Sequence, residues 1–162
     1  MIYKKAKELL KKLADRGEIL AIAESCTGGL MSSAITCHPG ASQVFLGGLV
    51  TYSNSTKHKL LGVNMNTLEE FGAVSSNCAS EMVQGVFNIF ASDYSVAITG
   101  IAGPDGGTAS KPVGLVFIGV GDKDTIDVFE FHFYGDRETI QHQAVMMAFD
   151  LLAKKIDGEV ME

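Results

Sequence analysis

The apolar run EILAIA, residues 18–23, leads into ESCTGG at 24–29, and LMSSAIT at 30–36 then has helical spacing. A short strand with no polar face must be covered on both sides, so it belongs inside a sheet with helices above and below. This one strand–turn–helix unit already excludes an all-helical bundle and a sandwich with one wet face. It predicts a strand over 19–25 and a helix over 27–35, with the turn between them at a sheet edge.

The rest of the chain extends the same pattern. Ile2, Ala6, Leu9, Leu10 and Leu13 share one face of a helix over 2–15 that Gly17 ends. QVFLGGLVTY, 43–52, reads as one or two strands with a glycine break. Asn54 is the expected cap of a helix running to Gly62, Asn66 of a short helix to Phe71, and Ser76 starts a longer one. Strands are expected over 93–100, 113–120 and 125–133. The last two form an antiparallel hairpin, and a change in apolar parity near Val128 and Phe129 suggests a bulge. Asp136 caps the closing helix. Helices on both sides of the strand blocks predict a three-layer α/β/α sandwich with a mixed sheet, as a single domain over 1–162.

The chain's 162 residues are 46% hydrophobic and 20% charged, enough for a packed core and too short for two ordinary domains. The net charge of −6, without a Lys/Arg block, argues against nucleic-acid binding. Cys26, Cys37 and Cys78 fit neither a disulfide framework nor a zinc pattern, and His38, His58, His132 and His142 are scattered. No metal site is expected. Without a signal peptide or a membrane-length apolar run, the expectation is a cytoplasmic protein with no membrane partner. A homo-oligomer, taken as a dimer, is expected on general grounds.

Three segments could carry chemistry. In ESCTGG, Ser25 would sit beside a helix N-terminus, where free N–H groups favour an anion or an oxyanion. Thr27, Gly28 and Gly29 would line the first turn and let a ligand approach. The plainer reading is that Ser25 or Thr27 only caps the helix. Cys26 is a rival nucleophile, though an inert buried thiol is the preferred reading. In TYSNSTKHK, 51–59, Lys57 sits in a first helical turn, where the dipole lowers a lysine pKa, and Lys59 competes for the same role of base. The loop IAGPDGGTASKP, 101–112, follows a strand and could offer N–H groups, with Lys111, to a phosphate.

ESCTGG, VTYSNSTKHKLLGV, GAVS at 72–75, TGIAGPDGGT and GDRETI occur in the order found in the CinA C-terminal domain family, the PncC-type nicotinamide-nucleotide amidases. The chain resembles this family from about Ala6 to Leu152. The resemblance implies hydrolysis of the carboxamide of nicotinamide mononucleotide to nicotinic acid mononucleotide and ammonia, a step in pyridine-nucleotide salvage, with no metal or cofactor. It implies Ser25 as nucleophile, Lys57 as base and Tyr52 as an assisting group. It also implies that Thr99, Gly100 and Gly103 lie nearest the nucleotide and that Arg137 takes its phosphate. Two positions depart from the family pattern. Gln141 stands where a second arginine is frequent, and Asp105 where a glycine is common. Larger CinA proteins carry an N-terminal domain with pyrophosphatase-type activity, for which this chain has no room, so that activity is expected to be absent. Two alternatives stand beside the amidase: a non-catalytic nucleotide-binding interaction domain, and an amidase for a different amide.

Overall fold

A computed structural model describes residues 1–161. The elements follow in the order α1 Ile2–Arg16, β1 Leu20–Glu24, α2 Leu30–Thr36, β2 Phe45–Val50, α3 Asn54–Leu61, α4 Met65–Glu70, α5 Ser76–Ile89, β3 Tyr94–Gly100, β4 Leu115–Gly121, β5 Ile126–His132 and α6 Arg137–Asp157. The sheet order is β2-β1-β3-β4-β5. β1 runs parallel to both β2 and β3, whereas β3–β4 and β4–β5 are antiparallel.

Alternation along the strands sorts the helices. Leu20 and Ile22 of β1 join Val96, Ile98, Val116, Ile118 and Val120 under α1, α2 and α6. Ala21, Ala23 and Ala97 face the other way, against Leu61 of α3, Leu68 of α4, and Met82, Val83 and Val86 of α5. Every residue of β1 is buried, which is why its sequence shows no polar alternation. The three-layer α/β/α sandwich with a mixed sheet is the architecture found.

The two faces pack differently. The α5 side of the sheet presents small residues, so α5 comes close. A Cβ at Gly119 would stand 2.7 Å from Val83 Cγ2, and one at Gly121 would stand 2.8 Å from Val83 Cγ1 and Phe87 Cε2. The α6 side instead takes large aliphatic side chains, each contributing roughly 1.5–3 kcal/mol when fully buried.

Several local expectations shift. α2 begins at Leu30 rather than Thr27, because Gly28 (φ 61°) and Gly29 (φ 99°) are left-handed and cannot continue a helix. Ser53, not Asn54, caps α3 in a reciprocal pair with Thr56. Asn64, not Asn66, caps α4, whereas α5 starts at Ser76 as expected, capped by Ser75. The pairing of β4 with β5 is continuous from Leu115–His132 to Gly121–Ile126, so β5 has no bulge there. Its mixed parity reflects an edge strand that is half-buried along much of its length.

The chain leaves β1 for β2 on one side of it and returns to β3 on the other. The carboxyl ends of β1 and β3 therefore lie together at the point where the order reverses, the usual ligand crevice of an open α/β sheet.

The crossing of α3 over α5 depends on Gly85, where an added Cβ would stand 2.1 Å from the carbonyl oxygen of Leu61. Gly85→Ala should therefore cost about 1–3 kcal/mol by forcing the two helices apart. Urea unfolding checks it, and an unchanged midpoint would show that the crossing yields without cost.

Candidate active site

ESCTGG is held by its own first residue. Glu24 is fully buried, and its carboxylate accepts four hydrogen bonds. These come from Thr27 Oγ1 (2.7 Å), Met31 N (3.0 Å), Ser32 N (2.8 Å) and Ser32 Oγ (2.7 Å). The carboxylate thus closes the turn and satisfies the start of α2. Those N–H groups are consequently not available to an oxyanion. Thr27 is turned to Glu24, and its side chain is buried. The two glycines serve the backbone conformation of the turn.

Ser25 is left at the end of β1, where its N–H donates to Ile98 O on β3. Its Oγ accepts from Lys57 Nζ at 3.0 Å. Lys57 Nζ also donates to the carbonyl of Thr51 at 2.8 Å and approaches that of Tyr52 at 3.5 Å. Only 1% of Lys57 is exposed, whereas Lys59 is exposed. The geometry separates two lysines that the sequence left in competition.

Burial is the largest cause that lowers the Lys57 pKa below the ordinary lysine range. The opposing contributions come from Cys78 and Cys26. Burial pushes their thiols up to about 11 and about 12, so both are neutral at neutral pH and offer Lys57 no anion. Cys26 is therefore a buried thiol, held away from the thiolate form a nucleophile needs.

A cavity of about 220 Å³ opens beside Ser25, lined also by Tyr52, Gly100, Gly103, Asp105 and Arg137. Arg137 spans its mouth, donating from Nη1 to Gly103 O and from Nη2 to Tyr52 Oη, both at 2.7 Å. Three separate segments of the chain meet there: the end of β2, the loop after β3 and the start of α6.

The model of the CinA C-terminal domain family matches residues 2–156. The chain belongs to the CinA C-terminal domain family. It is 47% identical over 150 residues to a CinA-like protein of Thermotoga maritima, covering 93% of this chain and 36% of that protein. It is 49% identical over 148 residues to a putative competence-damage inducible protein of Caldicellulosiruptor saccharolyticus, covering 91% and 36%. The chain thus spans about a third of the length of these curated relatives. Among solved structures, it superposes on a CinA superfamily protein of Klebsiella pneumoniae with a TM-score of 0.94 at 32% identity, covering 98% and 99% of the two chains. It also matches the competence/damage inducible protein CihA of Agrobacterium tumefaciens with a TM-score of 0.92 at 38% identity, covering 96% and 95%.

Within this CinA domain the sequence-derived candidates divide. Ser25, Tyr52, Gly100, Gly103 and Arg137 line the cavity, and Lys57 reaches Ser25 from behind it. Thr27, Gly28 and Gly29 do not line it, and Thr99 Oγ1 is spent on Ala73 O at 2.8 Å. Lys111 is turned away from the cavity, to Phe71 O. His38 meets Tyr3 O, and His58 meets Val63 O. Two residues acquire roles that the sequence reading missed. Glu24 carries no motif signal beyond its place in ESCTGG. Gln141, noted only as a missing arginine, donates from Nε2 to Cys26 O at 2.8 Å and so steadies the turn from α6. Among the described residues, no helix is long and apolar enough to cross a membrane.

Glu24→Gln keeps the shape of the side chain but leaves one acceptor oxygen and an NH2 group facing four donors. The hydroxyl beside the NH2 can turn to accept from it, but one N–H of α2 loses its acceptor, which should cost about 1–3 kcal/mol in urea unfolding. A loss under about 0.5 kcal/mol, the range of ordinary surface changes, would show that the turn holds without the carboxylate.

Proposed function

We propose that this CinA domain is a serine amidase that hydrolyses the carboxamide of nicotinamide mononucleotide, giving nicotinic acid mononucleotide and ammonia. The observation that carries the reading is Lys57, buried with Nζ on Ser25 Oγ and no carboxylate partner among the described residues. A structural lysine at such depth would be expected to have an anion beside it. A neutral lysine hydrogen-bonded to a serine is a base poised on a nucleophile.

Lys57 takes the Ser25 proton as Oγ attacks the amide carbon. The tetrahedral oxyanion needs donors other than the α2 N–H groups that Glu24 occupies. The N–H groups of Ala102 and Gly103 have no acceptor among the described residues, and both residues border the cavity. These two suit the role. The C–N bond then breaks, and ammonia leaves with the proton returned by Lys57, with Tyr52 at hand on the cavity wall. Water attacks the acyl ester, Lys57 takes its proton, and Ser25 Oγ recovers that proton as the acid product departs. A cavity of about 220 Å³ is below the roughly 300–1,000 Å³ usual for drug-sized ligands. It suits the aromatic amide end of a nucleotide, with the phosphate at the mouth near Arg137.

Ammonia release from nicotinamide mononucleotide, without added metal, tests the reading. Ser25→Ala and Lys57→Arg should each lose roughly 10³-fold or more, since a guanidinium cannot give up its proton. Cys26→Ala should retain turnover. Because the base must be neutral, kcat/KM should rise with pH through the lowered Lys57 pKa and then level off. Near-normal turnover by Ser25→Ala, or a rate that falls over the same pH range, would refute the assignment.

A further inference from the structure

Two opposite charges, Asp105 and Arg137, border the cavity without an ionic partner among the described residues. Asp105 lines it and makes no ion pair or side-chain hydrogen bond among the described residues. Arg137 lines it as well, yet the two groups it donates to, Gly103 O and Tyr52 Oη, are both neutral. The two side chains are not paired with each other, although they border one cavity of about 220 Å³. A ring seated there has both charges on the walls around it. Such a pocket favours a ligand that is positive at one end and negative at the other. It gives no such advantage to a neutral ring.

Resting on the amidase reading of this site, we propose that Asp105 is a specificity residue. It selects a carboxamide carried on a cationic heterocycle, while Arg137 takes the anionic end of the same molecule. The selection has a chemical consequence. A quaternised ring nitrogen withdraws electrons from the attached amide carbon, so choosing the cation chooses the amide more open to attack by Ser25. The corresponding dihydropyridine has the same carboxamide, ribose and phosphate but no ring charge.

Binding in the Ser25→Ala protein isolates this effect from turnover. Titration calorimetry would compare nicotinamide mononucleotide with its dihydro form, in Ser25→Ala and in Ser25→Ala/Asp105→Asn. Asp105 is exposed, so the expected effect is that of a solvated charge pair. Asp105→Asn should weaken the cationic ligand about threefold to fivefold and leave the dihydro form nearly unchanged. The difference should vanish in about 1 M salt, where the Debye length falls to ~3 Å. Equal weakening of both ligands, no weakening of either, or no binding of the cationic form would overturn the proposal. Ammonia release by the wild type is measured separately. If it is absent while the charge-dependent affinities persist, the amidase reading fails and charge selection by Asp105 stands.

Discussion

Everything around the cavity is arranged about one contact, a lysine nitrogen sealed against a serine hydroxyl. Lys57 Nζ lies 3.0 Å from Ser25 Oγ and 2.8 Å from the Thr51 carbonyl, in a place that water does not reach. Burial opposes the ammonium form, so the folded-state pKa falls below that of the unfolded chain. The unfolded chain then binds more protons between the two values, and stability rises with pH across that window. Below the folded pKa the cost of burying this group is fully present; it is relieved as pH climbs into the ordinary lysine range. The fold tolerates a standing destabilisation, and the tension coincides with the residue that the proposed chemistry needs neutral.

Holding that contact requires two elements from different places in the chain to arrive in register. Ser25 is fixed because its N–H bonds Ile98 on β3 and because Thr51 N bonds Glu24 O, so the turn is stitched to both neighbouring strands. Lys57 is fixed by the Ser53–Thr56 cap, which sets where α3 begins. Between them β2 carries Gly47 and Gly48. A Cβ at Gly48 would stand 2.1 Å from Ser32 Oγ, the hydroxyl that bonds Glu24. The glycine pair that looked like a strand break is therefore a place where α2 approaches the sheet, and β2 passes through it as one strand.

Much of this was legible in the sequence, for identifiable reasons. β1 was readable because full burial leaves an unbroken apolar run, and α1 because a half-buried helix shows its period. The position of Ser25 followed from the same strand ending. Asp136 was readable as the cap of α6, whereas the caps of α3 and α4 were off by one and two residues, since Asn, Ser and Thr crowd those boundaries and only the backbone decides which one accepts. A lysine can be held neutral by burial or by a helix dipole, and only the dipole has a local signature in the sequence; burial, the larger cause here, is a tertiary property. Glu24 and Gln141 escaped for the same reason, because their partners are set by how α2 and α6 meet the turn.

Six consecutive residues can now be assigned separate tasks. Glu24 gathers the donors of the turn, and Thr27 supplies one of them. Gly28 and Gly29 take the left-handed conformations that delay α2 until Leu30. Cys26 lends its carbonyl to Gln141 and keeps its thiol protonated. Ser25 borders the cavity with its hydroxyl on Lys57. A capping serine would have its hydroxyl on an N–H of α2, but Glu24 already fills that role, so Ser25 is released from capping. The anion-cradle reading weakens on the same ground, since the carboxylate occupies the amides that a phosphate would have used. By elimination among its own hydrogen bonds, the turn leaves a serine hydroxyl with a buried amine behind it and open space in front.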